Sequence, residues 1–138
     1  MRSMQRSMPQ GKGYSMLVVL DTNILVSGLM SPNGKPARLL DRVMNGDDTL
    51  CVDDRILWEY RVVLFRPKFG FDPDAVESLL SYLQSHSLIV TPDASEVPFT
   101  DESDRKFYEV AKYCNATLVT GNLKHFPNDP IVKGVQEI

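Results

Sequence analysis

Short apolar runs alternate along this chain with longer segments in which apolar residues recur at helical spacing. The first run, residues 16–21, is continuous and ends in Asp21. A continuous run of this length is typical of a strand buried on both faces of a parallel sheet. Further strands are predicted at 49–52, 88–90, 117–120 and 131–135.

Four segments between these runs have the apolar spacing of helices. An aspartate or proline precedes or opens three of them, and an Asn-Gly pair or a proline ends two of them, as is usual at helix boundaries. The predicted helices are 36–44, 54–66, 73–85 and 103–114. Strands that alternate with helices imply a parallel sheet with helices on its faces. The predicted fold class is therefore α/β, with residues 16–138 as a single domain.

The first 15 residues differ in composition from the rest. They contain three cations and no acidic residue, and we interpret them as a tail, either vector-derived or upstream of a true start at Met16. The whole chain has a net charge of −3, but residues 16–138 have 12 cations and 18 acids, a net charge of −6. An acidic body is a poor unaided partner for a polyanion. Either it does not bind nucleic acid, or its acids are gathered where metal ions neutralise them.

Other features of the sequence concern its location. No apolar run approaches the ~20 residues needed to cross a bilayer, and the N-terminus lacks the apolar region of a signal peptide. Cys51 and Cys114 lie in apolar surroundings, which favours buried free thiols over a disulfide or a zinc site. We expect a cytoplasmic protein that does not associate with membranes.

Polar side chains lie at several boundaries of the predicted elements. They are Asp21 after the first strand, Glu59 on the 54–66 helix, Asp101 and Asp104 around a helix start, and Asn122 after the fourth strand. Open α/β sheets form their sites at the carboxyl ends of strands, so several of these groups can converge. Oxygen ligands without Cys or His point to Mg²⁺ or Mn²⁺, which supports phosphodiester hydrolysis.

Each of these residues also has a purely structural interpretation. Asp101 and Asp104 are suited to cap the helix and complement its dipole. Glu59 alone is typical of a solvated helix face, and Asn122 of a turn. A carboxylate at the tip of an apolar strand is costly to desolvate, so a functional role and a capping role are equally open for Asp21.

Five stretches together resemble the PIN domain family, in particular the toxin components of toxin–antitoxin systems. They are LVVLDTNILVSGL at 17–29, SPNGKPARLL at 31–40, LWEYRVVLFRPKF at 57–69, TDESDRKFYEVAK at 100–112 and TLVTGNLKHFP at 117–127. They occur in the family's order and span nearly the whole chain after Met16.

The resemblance implies a three-layer α/β/α sandwich with a central parallel sheet and a metal-dependent ribonuclease pocket. The implied catalytic and metal-binding acids are Asp21, Glu59, Asp101 and Asp104, with Asp21 as the principal ligand. The implied supports of that site are Thr22, Asn23 and Thr120. The cofactor would be Mg²⁺ or Mn²⁺, the substrate RNA cut endonucleolytically, and the protein partner a small antitoxin that covers the pocket.

One position departs from the family pattern. Many PIN domains have an aspartate where this chain has Asn122. An amide oxygen can still coordinate an ion or hold a metal-bound water, so Asn122 stays a candidate metal ligand. It lacks the formal charge, however, which makes a two-metal mechanism less secure.

Basic and aromatic residues supply the candidates for substrate and partner contacts. The predicted RNA contacts are Arg61, Arg66, Lys68, Lys124 and His125. His125 could also transfer protons, although a surface or structural role is the commoner one. Tyr60, Phe65, Phe69 and Trp58 are interpreted as core or interface residues, and the helix around Trp58, with Tyr82, is a candidate contact in a homodimer.

Two other functions compete with the ribonuclease. A PIN fold that holds RNA or a protein without cutting would fit the acidic net charge and Asn122, and its binding would need no metal and would survive Asp21→Asn. A metal-dependent phosphatase or receiver-like domain also places an aspartate after its first strand. That domain would have a second acid where Asn23 stands and a lysine where Thr120 stands, so we rank it last.

Overall fold

A computed structural model describes residues 15–138, so the predicted tail lies outside the described residues except for Ser15. The strands are Leu17–Leu20 (β1), Thr49–Val52 (β2), Leu88–Ile89 (β3), Thr117–Thr120 (β4) and Val132–Gly134 (β5). The α-helices are Thr22–Met30 (α1), Lys35–Met44 (α2), Asp54–Leu64 (α3), Pro73–His86 (α4) and Arg105–Cys114 (α5). All five predicted strands and all four predicted helices are confirmed, whereas α1 was not predicted.

The described strands form one parallel sheet in the order β3-β2-β1-β4-β5. At the centre, Val18 of β1 pairs with Leu50 of β2 on one side and with Thr117 of β4 on the other. The chain first adds β2 and β3 outward from β1, and then returns to add β4 and β5 on the opposite side. The strand order thus reverses between β1 and β4, and the carboxyl ends of strands at such a reversal form a crevice for ligands.

Helices cover both faces of this sheet. The right-handed rule for crossovers between parallel strands puts α1–α4 on one face and α5 on the other, and α5 contacts β1, β2 and β4. The central strand is enclosed from Val18 to its carboxyl end, since Val18, Val19 and Leu20 have no exposed surface. The α/β/α sandwich that the resemblance implied is therefore confirmed. Between residues 15 and 138 no helix is both long and apolar enough to cross a membrane.

Helix α1 begins immediately after Asp21, and its sequence TNILVSGLM has a low intrinsic helix propensity because of its β-branched residues and glycine. Close packing against α2 overrides that propensity. A Cβ atom on Gly28 would lie 3.1 Å from the carbonyl oxygen of Pro36, so a side chain there would push the two helices apart. Gly28 therefore permits the approach that holds α1 in place.

Tyr60 fixes α3 against the end of β1. Its side chain is fully buried, as predicted, and its hydroxyl donates a hydrogen bond of 2.6 Å to the carbonyl oxygen of Leu20. Leu20 precedes Asp21 and Tyr60 follows Glu59, so this one bond sets the spacing between the two acids. At the start of the same helix, Asp53 accepts a hydrogen bond of 3.0 Å from the backbone N–H of Ile56 and supplies the predicted cap.

The two cysteines, remote in sequence, are neighbours in space. Cys51 is buried in β2, and its thiol lies beside that of Cys114 at the end of α5. Burial raises the pKa of both thiols. A thiol with a raised pKa stays protonated near neutral pH and is a poor nucleophile, so the pair contributes packing rather than reactivity.

We predict that Tyr60→Phe destabilises the protein. The substitution leaves the buried carbonyl of Leu20 without this donor, which costs about 1–3 kcal/mol of unfolding free energy. Urea denaturation measures the change, and Tyr113→Phe is the matched control because Tyr113 is exposed. The control should stay within about 0.5 kcal/mol of the wild type. Equal losses in the two variants would contradict the role given to the Tyr60 hydroxyl.

Candidate active site

A pocket of about 900 Å³ opens where the carboxyl ends of β1 and β4 meet. All four predicted acids and the predicted amide line it together: Asp21, Glu59, Asp101, Asp104 and Asn122. Thr22 and Asn23 lie in the same wall. The fold thus brings to one place residues that are up to 101 positions apart in the sequence.

Asp21 forms the floor of this pocket and is 7% exposed. Its carboxylate accepts a hydrogen bond of 2.8 Å from the hydroxyl of Thr120, whose oxygen in turn accepts one of 2.9 Å from the backbone N–H of Asn122. Burial raises the pKa of Asp21, the negative charge of Glu59 adds to this, and the Thr120 bond opposes it. The side chain makes no capping hydrogen bond to α1, so the capping interpretation does not account for it.

Asp104 ends a short 3₁₀ turn, Glu102–Asp104, that leads into α5. Its Oδ2 atom is shielded from solvent and accepts no hydrogen bond from the described residues, and His125 Nδ1 lies 3.5 Å from it. Burial, together with the negative charges of Asp21 and Asp101, raises the pKa of Asp104 to about 6. Although it stands at the N-cap of α5, its side chain makes no capping bond, so the capping interpretation is wrong for this residue.

Asp101 lies at the rim of the pocket and is exposed. It does act as a cap, because its Oδ1 atom accepts hydrogen bonds from the backbone N–H and the hydroxyl of Ser103 at 2.9 and 2.8 Å. These bonds lower the pKa of Asp101. The capping interpretation therefore holds for Asp101, which also keeps its place in the pocket wall.

Glu59 is engaged through both of its carboxylate oxygens. Oε2 accepts a hydrogen bond of 2.5 Å from the hydroxyl of Thr22, and Oε1 lies 2.7 Å from the ammonium of Lys106. These contacts join α3 to α1 and to α5 around the pocket. The solvated helix face inferred for Glu59 alone is therefore wrong, since the side chain is tied on two sides.

Lys106 is the site residue that the sequence analysis missed. It stands two positions after Asp104, and nothing in the sequence alone separates it from the chain's other lysines. Its approach to Glu59 depends on the packing of α5 beside α3, which is tertiary information. Four converging acids suggest that a cation lies near them. Residues 16–138 contain 12 lysines and arginines, however, and the sequence does not show which of them that is.

The predicted RNA contacts divide into two groups. Arg66, Lys68 and His125 line the pocket, whereas Arg61 and Lys124 do not. The guanidinium of Arg61 instead pairs with Glu77 at 2.8 Å on the outer side of α3.

Aromatic side chains add an apolar part to the same wall. Trp58 is 66% exposed and lines the pocket together with Phe69. The ammonium of Lys68 lies 5.2 Å from the centre of the Phe69 ring. Trp58 is therefore not a core residue, in contrast to the buried Tyr60.

The donors in this pocket fit a hard divalent cation. Asp104 Oδ2 is a buried anionic oxygen without a hydrogen-bond donor, and Asp21 is close enough to raise the pKa of Asp104. No three Asp, Glu, His or Cys side chains form a ready metal cage within residues 15–138. Mg²⁺ does not need such a cage, since it binds through one or two carboxylates and keeps several waters. Asp21 and Asp104 are the two carboxylates that meet this requirement.

Comparison with known proteins agrees with this arrangement. The PIN domain family profile matches residues 17–124, which include all four acids and Asn122. The chain belongs to the PIN domain family. PIN domains are generally nucleases.

Individual proteins are similar to this PIN domain in sequence or in fold. An uncharacterized protein of Methanocaldococcus jannaschii is 31% identical over 108 residues, which cover 76% of this chain and 70% of that protein. VapBC2 from Rickettsia felis, solved bound to a DNA fragment from its promoter, matches with a TM-score of 0.56 at 22% identity over 86% of this chain and 98% of the other. FitAB, solved bound to an IR36 DNA fragment, matches with a TM-score of 0.58 at 18% identity over 88% and 96%.

We predict that Asp104→Asn stabilises the PIN domain in the presence of EDTA. The folded-state pKa of Asp104, about 6, exceeds the value of about 3.9 expected for an unfolded chain, so its ionisation costs stability as the pH rises from 4 to 6. A difference of about two pKa units corresponds to about 3 kcal/mol at most. Solvent screening at the open pocket reduces this to about 1 kcal/mol, so at pH 7 the variant should melt about 3–6 °C higher than the wild type. Below pH 4 the difference should vanish.

Thermal unfolding followed by circular dichroism at pH 4, 5, 6 and 7 makes this measurement. Asp93→Asn is the matched control, because Asp93 is an exposed aspartate in a loop. It should follow the wild type at every pH. A gain in Tm that did not depend on pH would mean that the charge of Asp104 does not destabilise the folded state.

Proposed function

We propose that this PIN domain is a Mg²⁺- or Mn²⁺-dependent endoribonuclease that hydrolyses RNA phosphodiester bonds. The observation that carries this proposal is the buried oxygen of Asp104, which accepts no hydrogen bond from the described residues, in the pocket that Asp21 also lines. A desolvated anionic oxygen without a donor is costly, and folds retain such groups chiefly where they serve function. A divalent cation satisfies both carboxylates at once.

The residues of the pocket have distinct parts in this proposal. Asp21 and Asp104 bind the ion, while Asn122 contributes a neutral amide and Asp101 and Glu59 complete the acidic wall. When bound, the ion supplies an activated water and stabilises charge that develops on the phosphate. Thr120 fixes the rotamer of Asp21 through its hydrogen bond of 2.8 Å, so the carboxylate is oriented before any ion enters.

Thr22 and Asn23 follow Asp21 in the first turn of α1, where they complete the support of the site. Thr22 acts through Glu59, to which its hydroxyl donates a hydrogen bond. Asn23 lines the pocket and adds an uncharged polar group to its wall. The two side chains supply polar contacts without adding negative charge to a pocket that already holds four acids.

The wall beside the acids has the chemistry of an RNA-binding surface. Arg66, Lys68 and His125 provide positive charge for phosphates, and Trp58 and Phe69 provide aromatic groups on which unpaired bases can stack. Neither Arg66 nor Lys68 forms an ion pair with any of the described residues, so both are available to a phosphate. RNA is the polyanion that we propose, cleaved within single-stranded segments.

The biological setting that we propose is a toxin–antitoxin pair in the cytoplasm. The five matching sequence stretches resemble PIN-family toxin components, and the fold shared with VapBC2 and FitAB is consistent with that resemblance. An antitoxin that covered the pocket would meet an exposed Trp58 and a row of cations. The same exposed face of α3 is the candidate contact for a homodimer.

We predict that Asp21→Asn abolishes cleavage. A mixed panel of structured and single-stranded RNAs is incubated with the wild type in Mn²⁺, Mg²⁺ or EDTA, and products are mapped on sequencing gels. Loss of a metal ligand should lower the cleavage rate by at least about 100-fold, because even outer partners of a metal are worth 10–100-fold. Asp93→Asn should cut like the wild type, and EDTA should stop both.

Retention of cutting in Asp21→Asn or in EDTA would refute the proposed chemistry. If the wild type bound RNA tightly in EDTA and cut nothing on the panel, a non-catalytic PIN module that holds RNA or protein would replace the nuclease. If no RNA is cut, the Tm in Mn²⁺ shows whether a metal site exists. A Tm that rises with Mn²⁺ in the wild type but not in Asp21→Asn would mean that the site binds metal and the panel lacks its substrate, whereas no rise in the wild type would mean that there is no site.

We predict that Arg66→Ala weakens RNA binding and that Arg61→Ala does not. Arg66 lines the pocket, whereas Arg61 is paired with Glu77 away from it. Loss of one phosphate contact should weaken binding to all sequences alike and reduce the slope of log Kd against log salt by about 1. Fluorescence anisotropy with labelled RNA in Ca²⁺ at several salt concentrations measures both quantities. Equal effects in the two variants would contradict the placement of the RNA path.

A further inference from the structure

The sequence resemblance treats Glu59 as a metal ligand, but its surroundings indicate another role. We infer that Lys106 withholds Glu59 from the metal, and that the pocket takes a single divalent cation between Asp21 and Asp104. Lys106 and Glu59 then act as one neutral unit that shapes the pocket. This inference rests on the proposed function, since it presumes that an ion binds.

The positive charge of Lys106 stands where an ion bound to Glu59 would have to be. Its Nζ atom lies 2.7 Å from Glu59 Oε1, while the other oxygen, Oε2, accepts the Thr22 hydroxyl. A carboxylate has lone pairs to spare, so these bonds alone do not exclude coordination. Repulsion between an ammonium and a divalent cation on the same carboxylate does oppose it, strongly so in a partly buried site.

The side chain of Lys106 is held in place by several contacts. Its side chain is only 12% exposed, and its ammonium also donates a hydrogen bond to the backbone carbonyl of Ser103. The nitrogen lies 5.0 Å from the centre of the Phe107 ring, so aromatic surface covers it on another side. An ion that displaced Lys106 from Glu59 would leave a desolvated ammonium without its counter-charge, which is strongly unfavourable.

Asp104 presents the opposite situation. Its Oδ2 atom is buried and accepts no hydrogen bond from the described part of the chain, and the imidazole of His125, which lies 3.5 Å away, is an exposed side chain that an ion can displace. Asp21 is held by the hydroxyl of Thr120, a neutral donor, and although the charge of Lys106 acts on it, its carboxylate forms no ion pair within the described residues. The two aspartates are thus prepared for a cation in a way that Glu59 is not.

The balance of charge in the pocket fits one ion. Lys106 cancels the charge of Glu59, and Asp101 at the rim is tied to Ser103 and open to solvent. Asp21 and Asp104 remain as two desolvated negative charges, which one divalent ion neutralises. A second ion would need further anionic oxygen, and the position that could supply it holds the neutral Asn122.

The test counts bound Mn²⁺ and measures its affinity without any substrate. Metal-free wild-type protein is titrated with Mn²⁺, and the electron paramagnetic resonance signal of the free ion gives the stoichiometry and Kd. The decisive variant is Glu59→Gln/Lys106→Met, which removes both charges of the pair together. Asp104→Asn measures the loss of a true ligand, and Lys112→Met is the matched control on the same helix, since Lys112 pairs with Asp129 instead.

The wild type should bind one Mn²⁺ per chain, and the double variant should also bind one, with a Kd within about threefold, because only a neutral pair has been removed. Lys106→Met alone frees Glu59 and should bind Mn²⁺ about tenfold more tightly or take up a second ion. Asp104→Asn should weaken binding by at least about tenfold. Lys112→Met should match the wild type.

Two results would overturn the inference while leaving the proposed metal site intact. One is a wild type that binds two ions; the other is a double variant that loses as much affinity as Asp104→Asn, which would make Glu59 a ligand. Failure of the proposed function is different, because the wild type itself would then bind no Mn²⁺. Circular dichroism checks that each variant folds, and Glu59→Gln/Lys106→Gln, which keeps polar side chains at both positions, replaces the double variant if it does not.

Discussion

Asp21 is a carboxylate buried at the end of the central strand, and much of the structure follows from keeping it there. Burial removes most of the water that would solvate its charge, so protein groups must compensate. The nearest compensation comes from Thr120, which lies 99 positions away in sequence and reaches Asp21 only because β4 is inserted beside β1. The reversal of strand order between these two strands is thus both the origin of the pocket and the means of stabilising its floor.

The acids around Asp21 are organised by helices rather than by loops. Tyr60 anchors α3 to the end of β1, and Glu59 then joins that helix to Thr22 of α1 and Lys106 of α5. A site supported in this way keeps its geometry without a bound ion, which is what a preorganised centre requires. Asp104 is the exception, since its buried oxygen accepts no hydrogen bond from the described residues. The charge of Asp104 lowers the free energy of unfolding, and active sites commonly carry a local cost in stability of this kind.

The sheet could be predicted from the sequence because buried parallel strands leave an unmistakable pattern, such as VVL before Asp21 and TLVT before Gly121. Asp21, Asp101 and Asp104 were singled out for a related reason, since each stands at an element boundary that the pattern defines, whereas Glu59 lies within a helix and was selected by the family resemblance. Helix α1 was missed because TNILVSGLM has poor intrinsic propensity and is stabilised by contact between Gly28 and Pro36, which no local rule reveals. The contact of Lys106 with Glu59 was not predicted, nor was the placement of Arg66 in the pocket and of Arg61 outside it. Helix packing decides which acid each cation contacts.

The net charge of −6 after the tail is unfavourable for the proposed binding of RNA, but the distribution of charge resolves the difficulty. At physiological ionic strength charges separated by more than about 8 Å are largely screened from each other, so an approaching strand responds mainly to the groups it touches. On the rim it touches Arg66, Lys68 and His125, and on the floor Asp21 and Asp104. The floor repels phosphate until its two charges are neutralised, whereas the rim attracts phosphate at all times. In the proposed function, metal binding and substrate binding are therefore coupled by electrostatics, and the inferred neutrality of the Glu59–Lys106 pair allows a single divalent ion to neutralise the floor.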